Sequence, residues 1–215
     1  MGSPYSGPSA GRILFVSGWA GYPALFPGLE RKALFIHPFV SHDLQSIRRC
    51  LSDKAWDMVI AWSLGAHLCL KTAEKINSRH LFLIAPFLDF TRHTPAAEVQ
   101  TMLTGMTKNP FSTVRWFWRT CGIRDKPLIP LADVPALEQG LKFLIHSKAT
   151  PRKLPRGCVS ILIHGQNDLV VPGEAVAEVL EISGFSRHAS LESGHFVSLD
   201  VIAEIVHEQT GSKII

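Results

Sequence analysis

Six short runs, at residues 12–16, 33–36, 58–62, 80–84, 159–163 and 187–191, alternate with longer segments of a different period. The segments "SHDLQSIRRCLS", "LGAHLCLKTAEKI" and "PGEAVAEVLEIS" place apolar residues three and four apart, the spacing that keeps one helical face apolar. Most of the runs are almost continuously aliphatic or aromatic and too short for helices, as strands are when both faces of their sheet are covered. A strand, a helix and a further strand in succession bring the chain back along the same direction, so neighbouring strands run parallel. The expected class is therefore a doubly wound α/β domain. The chain carries no internal repeat and no low-complexity tract.

With 215 residues, 46% of them hydrophobic, the chain is long enough for one domain with a sizeable core. Cys50, Cys69, Cys121 and Cys158 lie far apart in sequence, which argues against a zinc site and against a dense disulfide framework. A reducing cytoplasm, with no metal and no cofactor, is the expectation. The opening "MGSPYSGPSAG" is small, polar and free of basic residues, unlike a signal peptide, and is expected to be a flexible tail over residues 1–11. No stretch approaches the ~18 apolar residues of a membrane span, so a soluble protein with no membrane partner is expected, as a monomer.

The alternation breaks between residues 91 and 156. Helical patterns at 95–106, 111–121 and 134–147, set off by Pro110, Pro127, Pro130 and Pro135, follow one another there without a convincing strand. This stretch reads as a helical cap inserted between core strands. From Arg92 to Arg156 it holds eleven Lys/Arg against four Asp/Glu, so it is basic and the remainder of a chain of net charge +4 is slightly acidic.

"IAWSLGAHL", residues 60–68, sets one serine between the third run and a helix. A serine at such a strand-turn-helix junction can be a plain N-cap. It can also be a nucleophile on a sharp, strained elbow, which needs small residues two before and two after; Ala61 and Gly65 are small. The helix N-terminus would then offer free N–H groups and a positive dipole end to a developing oxyanion.

A serine hydroxyl is a weak nucleophile and needs a base, usually histidine, oriented by a carboxylate. The run "VSILI" ends in "HGQNDLVVP", placing Asp168 just beyond it, and "HASL" ends in "ESGHF", placing His195 beyond that. Ligand sites of open α/β sheets gather at these carboxyl ends. The order Ser63, Asp168, His195 is that of the elbow arrangement. Either residue could instead make a turn or sit on the surface. Asp89, after "IAP", is the reserve acid, whereas Asp200 falls inside a helix. An oxyanion hole needs two donors, and by position these are the N–H groups of Leu64 and of Trp19 in "SGWAGYP", whose indole would wall the acyl pocket. Gly18 and Gly21 of that segment could equally serve only a tight turn.

Together "SGWAG", "AWSLGA", "HGQNDLVVP" and "SGHF" resemble the α/β-hydrolase superfamily. Within it, Gly18-Trp19 and Trp62-Ser63-Leu64-Gly65 are similar to the small carboxylesterases of biotin synthesis, which hydrolyse the methyl ester of pimeloyl-acyl carrier protein. Two positions depart from that pattern: Ser17 stands where a histidine is usual, and Ala61 where a glycine is usual. The resemblance implies a compact α/β-hydrolase fold of about six mainly parallel strands with helices on both faces. It also implies a serine carboxylesterase and an acidic carrier-protein partner. Arg115 and Arg119, four apart on one helical face, with Lys108 and Arg124 nearby, are candidates to meet that partner, although the same residues would suit an ordinary solvated face. Phe111, Trp116, Phe117 and Trp118 could line an acyl tunnel or simply seat the cap. A basic face also suits nucleic acid, but no recognised binding motif accompanies it, and no nucleic-acid partner is expected. An acyl thioesterase, a broad short-chain esterase and a hydrolase-fold binding module with an inert site remain open alternatives.

Overall fold

The computed structural model describes residues 12–124, 127–151, 153–182 and 184–214. The expected tail at 1–11 lies outside these residues. Six strands form one parallel sheet: β1 (Ile13–Val16), β2 (Leu34–Ile36), β3 (Ala55–Trp62), β4 (Asn77–Ile84), β5 (Val159–Gly165) and β6 (Phe185–Leu191), in the order β2-β1-β3-β4-β5-β6. The central strands are buried on both faces, which is why Leu14–Val16, Val59–Trp62 and Leu81–Ile84 read as unbroken apolar runs. The margins differ. β2 has only three residues, and β6 is mostly exposed and carries Arg187 and His188, a composition that discourages another chain from pairing with it.

Three strands begin earlier than the runs suggested, β6 by only two residues, at Phe185. β3 starts at Ala55 and β4 at Asn77, and these ends pair in register, Ala55 with Asn77 and Trp56 with Ser78. Ala55, Asn77 and Arg79 are exposed there and Trp56 alone is buried, so hydropathy marked the more fully covered halves. Helix α1 (Leu44–Ser52) is capped by Asp43, whose carboxylate accepts from the Ser46 N–H at 2.7 Å, and α2 (Leu64–Thr72) stops before a 3₁₀ turn at Ala73–Lys75. Helices α7 (Gly173–Leu180) and α8 (Leu199–Thr210) follow β5 and β6.

Between β4 and β5 lie α3 (Phe90–His93), α4 (Ala96–Lys108), α5 (Pro110–Thr120) and α6 (Val134–His146). The one-turn helix α3 was not signalled by periodicity, which needs more than a turn to register. Asn109 starts α5 by accepting from Ser112 N–H at 3.0 Å, with Pro110 in the first helical position, where no donor is lost. Helix α4 packs on both α5 and α6.

From β1 the chain steps to β2 on one side, then returns past β1 to β3 and continues the other way. The crevice between the carboxyl ends of β1 and β3 is therefore the switch point, where doubly wound sheets place their ligands. No helix among the described residues is long and apolar enough to cross a membrane. All four cysteines are free thiols.

Candidate active site

Four non-glycine residues in the left-handed region follow the carboxyl ends of neighbouring strands: Ala20 after β1 (φ 52°), Phe39 after β2 (φ 68°), Ser63 after β3 (φ 55°) and Ala85 after β4 (φ 48°). Each such residue costs on the order of 1–3 kcal/mol and persists only where its surroundings fix it. The Ser63 N–H bonds the carbonyl of Ile84 at 2.8 Å, while the Ser63 carbonyl accepts from His67 N–H at 2.9 Å as α2 begins. The elbow is thus tied to the next strand on one side and to its own helix on the other. Gly65 is required sterically: a Cβ there would run into the backbone carbonyls of Val16 and Ser17. Ala61 is fully buried.

His195 Nε2 lies 2.9 Å from Ser63 Oγ, and His195 Nδ1 lies 2.8 Å from Asp168 Oδ2. A carboxylate can only accept, so Nδ1 carries the proton and the Nε2 lone pair accepts from the serine hydroxyl. All three side chains are buried. The other carboxylate oxygen, Oδ1 of Asp168, accepts from the N–H groups of Val170 and Val171, both at 2.8 Å. Burial pushes the Asp168 carboxyl up, but the adjacent imidazole charge, its hydrogen bond and these two backbone donors outweigh that and hold it below the ordinary carboxylate range. Asp168 thus stays ionised where it can orient a histidine and stabilise the imidazolium.

The Asp168 and His195 loops are joined by their backbones. Gln166 N–H reaches Leu191 C=O at 2.8 Å and Asn167 N–H reaches Ser193 C=O at 3.0 Å, continuing the β5–β6 pairing beyond the strands. Gly165 lets them approach, because a Cβ there would strike the carbonyls of Ser193 and Gly194. Two further side chains hold the arrangement. The Trp62 indole N–H donates to the His195 carbonyl at 2.9 Å, and His164 Nε2 donates to the Val171 carbonyl at 3.2 Å. The sequence marked Trp62 and His164 only as parts of quoted motifs, with no role of their own. Their positions next to the elbow and at the end of β5 were the available signal.

The loop after β1 is similarly pinned. Ser17 Oγ donates to Gly21 C=O at 2.6 Å, so the hydroxyl at this departure from the resembled pattern staples its own loop. The Trp118 indole donates to Ala20 C=O at 3.0 Å and the Trp19 indole to Leu137 C=O at 2.8 Å, anchoring the loop to α5 and α6. Leu64, first residue of α2, has no intrahelical acceptor for its N–H. Trp19, Ser63 and Leu64 line one small, partly enclosed cavity of about 20 Å³. Phe87 and Phe90 wall it from the approach to α3 and its first residue, Val99 and Met102 from α4, Phe117 from α5 and Leu141 from α6. The Trp19 and Phe117 rings meet edge to face at 4.8 Å.

The other candidates lie elsewhere. Asp89 caps α3, accepting from Thr91, and pairs with Lys148 at 2.9 Å, so it is spent on local structure away from His195; Asp200 lies in the first turn of α8. Lys108, Arg115, Arg119 and Arg124 are all exposed, and Arg115 and Arg119 stand on the outer face of α5 while Val114, Phe117 and Trp118 are buried beneath it. Of the four aromatics that could line a tunnel or seat the cap, Phe117 reaches the cavity, Trp118 is buried against the β1 loop, and Phe111 and Trp116 are exposed.

No known family's sequence pattern matches the chain, and no protein of curated function does. The solved structures answer differently. An esterase from Exiguobacterium antarcticum is 17% identical with a TM-score of 0.65, the alignment covering 94% of this chain and 92% of that one. The type II thioesterase BorB of the borrelidin biosynthetic cluster is 14% identical with a TM-score of 0.68, covering 97% and 94%. A mutant form of an epoxide hydrolase from Bacillus megaterium is 14% identical with a TM-score of 0.61, covering 94% and 92%. At such identities the likeness is one of architecture, and the three names span different chemistries. The six-stranded parallel sheet, its helices and these near full-length superpositions establish that the chain has the α/β-hydrolase fold.

Proposed function

We propose that the protein is a serine hydrolase of acyl esters. The observation that carries this reading is the buried chain of hydrogen bonds from Ser63 Oγ through His195 to Asp168, at 2.9 and 2.8 Å, on an elbow whose backbone strain presents the hydroxyl to a cavity. His195 takes the Ser63 proton as the oxygen attacks an ester carbonyl. The developing oxyanion is held by the N–H groups of Leu64 and Trp19, aided by the α2 dipole. Collapse of the tetrahedral intermediate expels the alcohol, which receives the proton from His195. A water then attacks the acyl-enzyme, with His195 as base, and releases the acid and the free serine.

The finer reading is the methyl ester of pimeloyl-acyl carrier protein, in biotin synthesis. It is supported by the sequence around Trp19 and Ser63 and by the exposed cations Lys108, Arg115, Arg119 and Arg124, a face suited to steering an acidic partner and holding a phosphate. The same chemistry cleaves thioesters, and the likeness to a thioesterase keeps that substrate class in the test.

The test follows hydrolysis of pimeloyl-carrier-protein methyl ester by mass spectrometry, beside a carrier-bound pimeloyl thioester and simple acyl esters. Ser63→Ala is expected to lower kcat on every cleaved substrate by about three orders of magnitude or more. Turnover that survives this substitution would remove Ser63 from the reaction. Cleavage of simple esters without the carrier-bound methyl ester would keep the triad and discard the carrier protein.

A further inference from the structure

Two cavities of very different size meet at one side chain. The small cavity at Ser63, about 20 Å³, has room for on the order of one water-sized group. A medium-length acyl chain has no place inside it. Directly outside, α4 and α5 face each other across an open groove of about 460 Å³. On α4 the groove is lined by Glu98, Thr101, Met102 and Gly105, which recur at helical spacing, and on α5 by Thr113 and Trp116. Among these Glu98 alone is charged. Gly105 lets the helices come close, since a Cβ there would lie 2.5 Å from Thr113 Oγ1 and 3.3 Å from its methyl. Trp116 keeps 49% of its surface in solvent on the groove wall, a large indole exposed where burial would favour it.

Met102 lines both spaces. It is unbranched and adaptable, so its side chain can change rotamer where the two spaces meet. A second groove of about 410 Å³, between Arg124 and the loop bearing Phe196, shares no lining residue with the Ser63 cavity. Continuity therefore singles out the first. We propose that the α4–α5 groove is the subsite for the acyl chain of a medium-length ester, and that Met102 is the side chain that admits the chain to Ser63. This rests on the ester-hydrolase reading.

The test compares kcat/KM for p-nitrophenyl octanoate with that for p-nitrophenyl acetate. Thr101→Trp, on an exposed turn of α4, fills the groove and is expected to lower the octanoate-to-acetate ratio about tenfold or more, mainly through KM. Met102→Ala removes the partition and is expected to raise the ratio several-fold, so the two variants move it in opposite directions. Should Thr101→Trp fail to fold, Met102→Ala decides. If both esters are cleaved and the ratio stays within about twofold in the folded variants, the groove is not the acyl subsite and the role of Ser63 stands. A wild-type protein that cleaves neither ester, with Ser63 unreactive toward a fluorophosphonate, ends both the reading and the subsite.

Discussion

The strand-end turns and the helices above them enclose one cavity but are held in different ways. Below, Ala20, Ser63 and Ala85 adopt strained conformations, each fixed by backbone or indole hydrogen bonds from a neighbouring element. Above, α4, α5 and α6 contribute mainly apolar side chains such as Val99, Met102, Phe117 and Leu141. Strain can be stored only where many bonds over-determine the backbone, and it is stored where a hydroxyl must be aimed. Apolar contacts are non-directional and tolerate repacking, so the upper helices can vary in what they admit while the turns cannot vary in how they point. Substitutions below should therefore act on rate, and substitutions above on stability and substrate choice.

The sharpest test of this contrast is Asp168→Asn. The amide preserves shape but can donate to Nδ1, stabilising the tautomer in which Nε2 bears the proton and cannot accept from Ser63. The expected loss in kcat is about 10³ to 10⁴, with the fold retained. An Asp168→Asn protein with nearly full activity would show that the carboxylate does not orient His195.

How much of this could be read from the chain varies by element. The fold class was legible because β1, β3, β4 and β5 are covered on both faces and so keep apolar runs. Their solvent-facing ends were not, nor was α3, which is a single turn. Ser63, Asp168 and His195 were legible because each follows its own strand, and the structure brings them within hydrogen-bond reach. The supports were not. Trp62 reaches a carbonyl 133 positions away and Trp118 one 98 positions away, partnerships that no local pattern encodes. Helical spacing likewise puts Val99, Leu103 and Met106 on the inward side of α4, but does not show that Met102 beside them lines two spaces at once.

Acid offers a second way to probe the tightly bonded region. Burial pushes His37 and His67 down from 6.5 to about 4; for His67 the Lys71 charge adds to this, and a bond to the Phe87 carbonyl with the Asp89 charge opposes it. His67 donates from Nδ1 to Phe87 C=O at 3.1 Å and accepts at Nε2 from Ser147 at 2.8 Å, linking α2 to the end of α6 as a neutral ring. The unfolded chain takes up these protons before the folded one does. Stability should therefore be full above about pH 6.5 and fall as the pH drops toward 4, by about 3 kcal/mol for each histidine. The lowered Asp168 carboxyl acts in the same direction at still lower pH, being lost as its own protonation sets in. Denaturant midpoints measured between pH 4 and 7 should show this slope, and His67→Gln should remove about half of it. A flat profile would mean that both rings reach solvent.

A smaller effect is expected at the junction of the two regions. Trp118→Phe keeps an aromatic ring but removes the indole donor at 3.0 Å from the buried Ala20 carbonyl, leaving it only the Tyr22 N–H at 3.2 Å. The expected cost is about 1–3 kcal/mol in thermal stability. Activity should fall as well, because this carbonyl belongs to the strained loop that presents Trp19. A stability loss with kcat untouched would separate the loop's anchoring from its proposed role as an oxyanion donor.

The smallest effect on stability belongs to the outer face of α5. Arg115 and Arg119 are exposed and form no ion pair among the described residues. Replacing both with alanine should change unfolding free energy by no more than about 0.5 kcal/mol. If they steer an acidic carrier, the double variant should lose about tenfold in kcat/KM on the carrier-linked ester at low salt. That gap should close as ionic strength shortens the screening length. A loss that persists at high salt would point to a direct contact such as a bound phosphate, and no loss at any salt would leave this face without a role in carrier recognition.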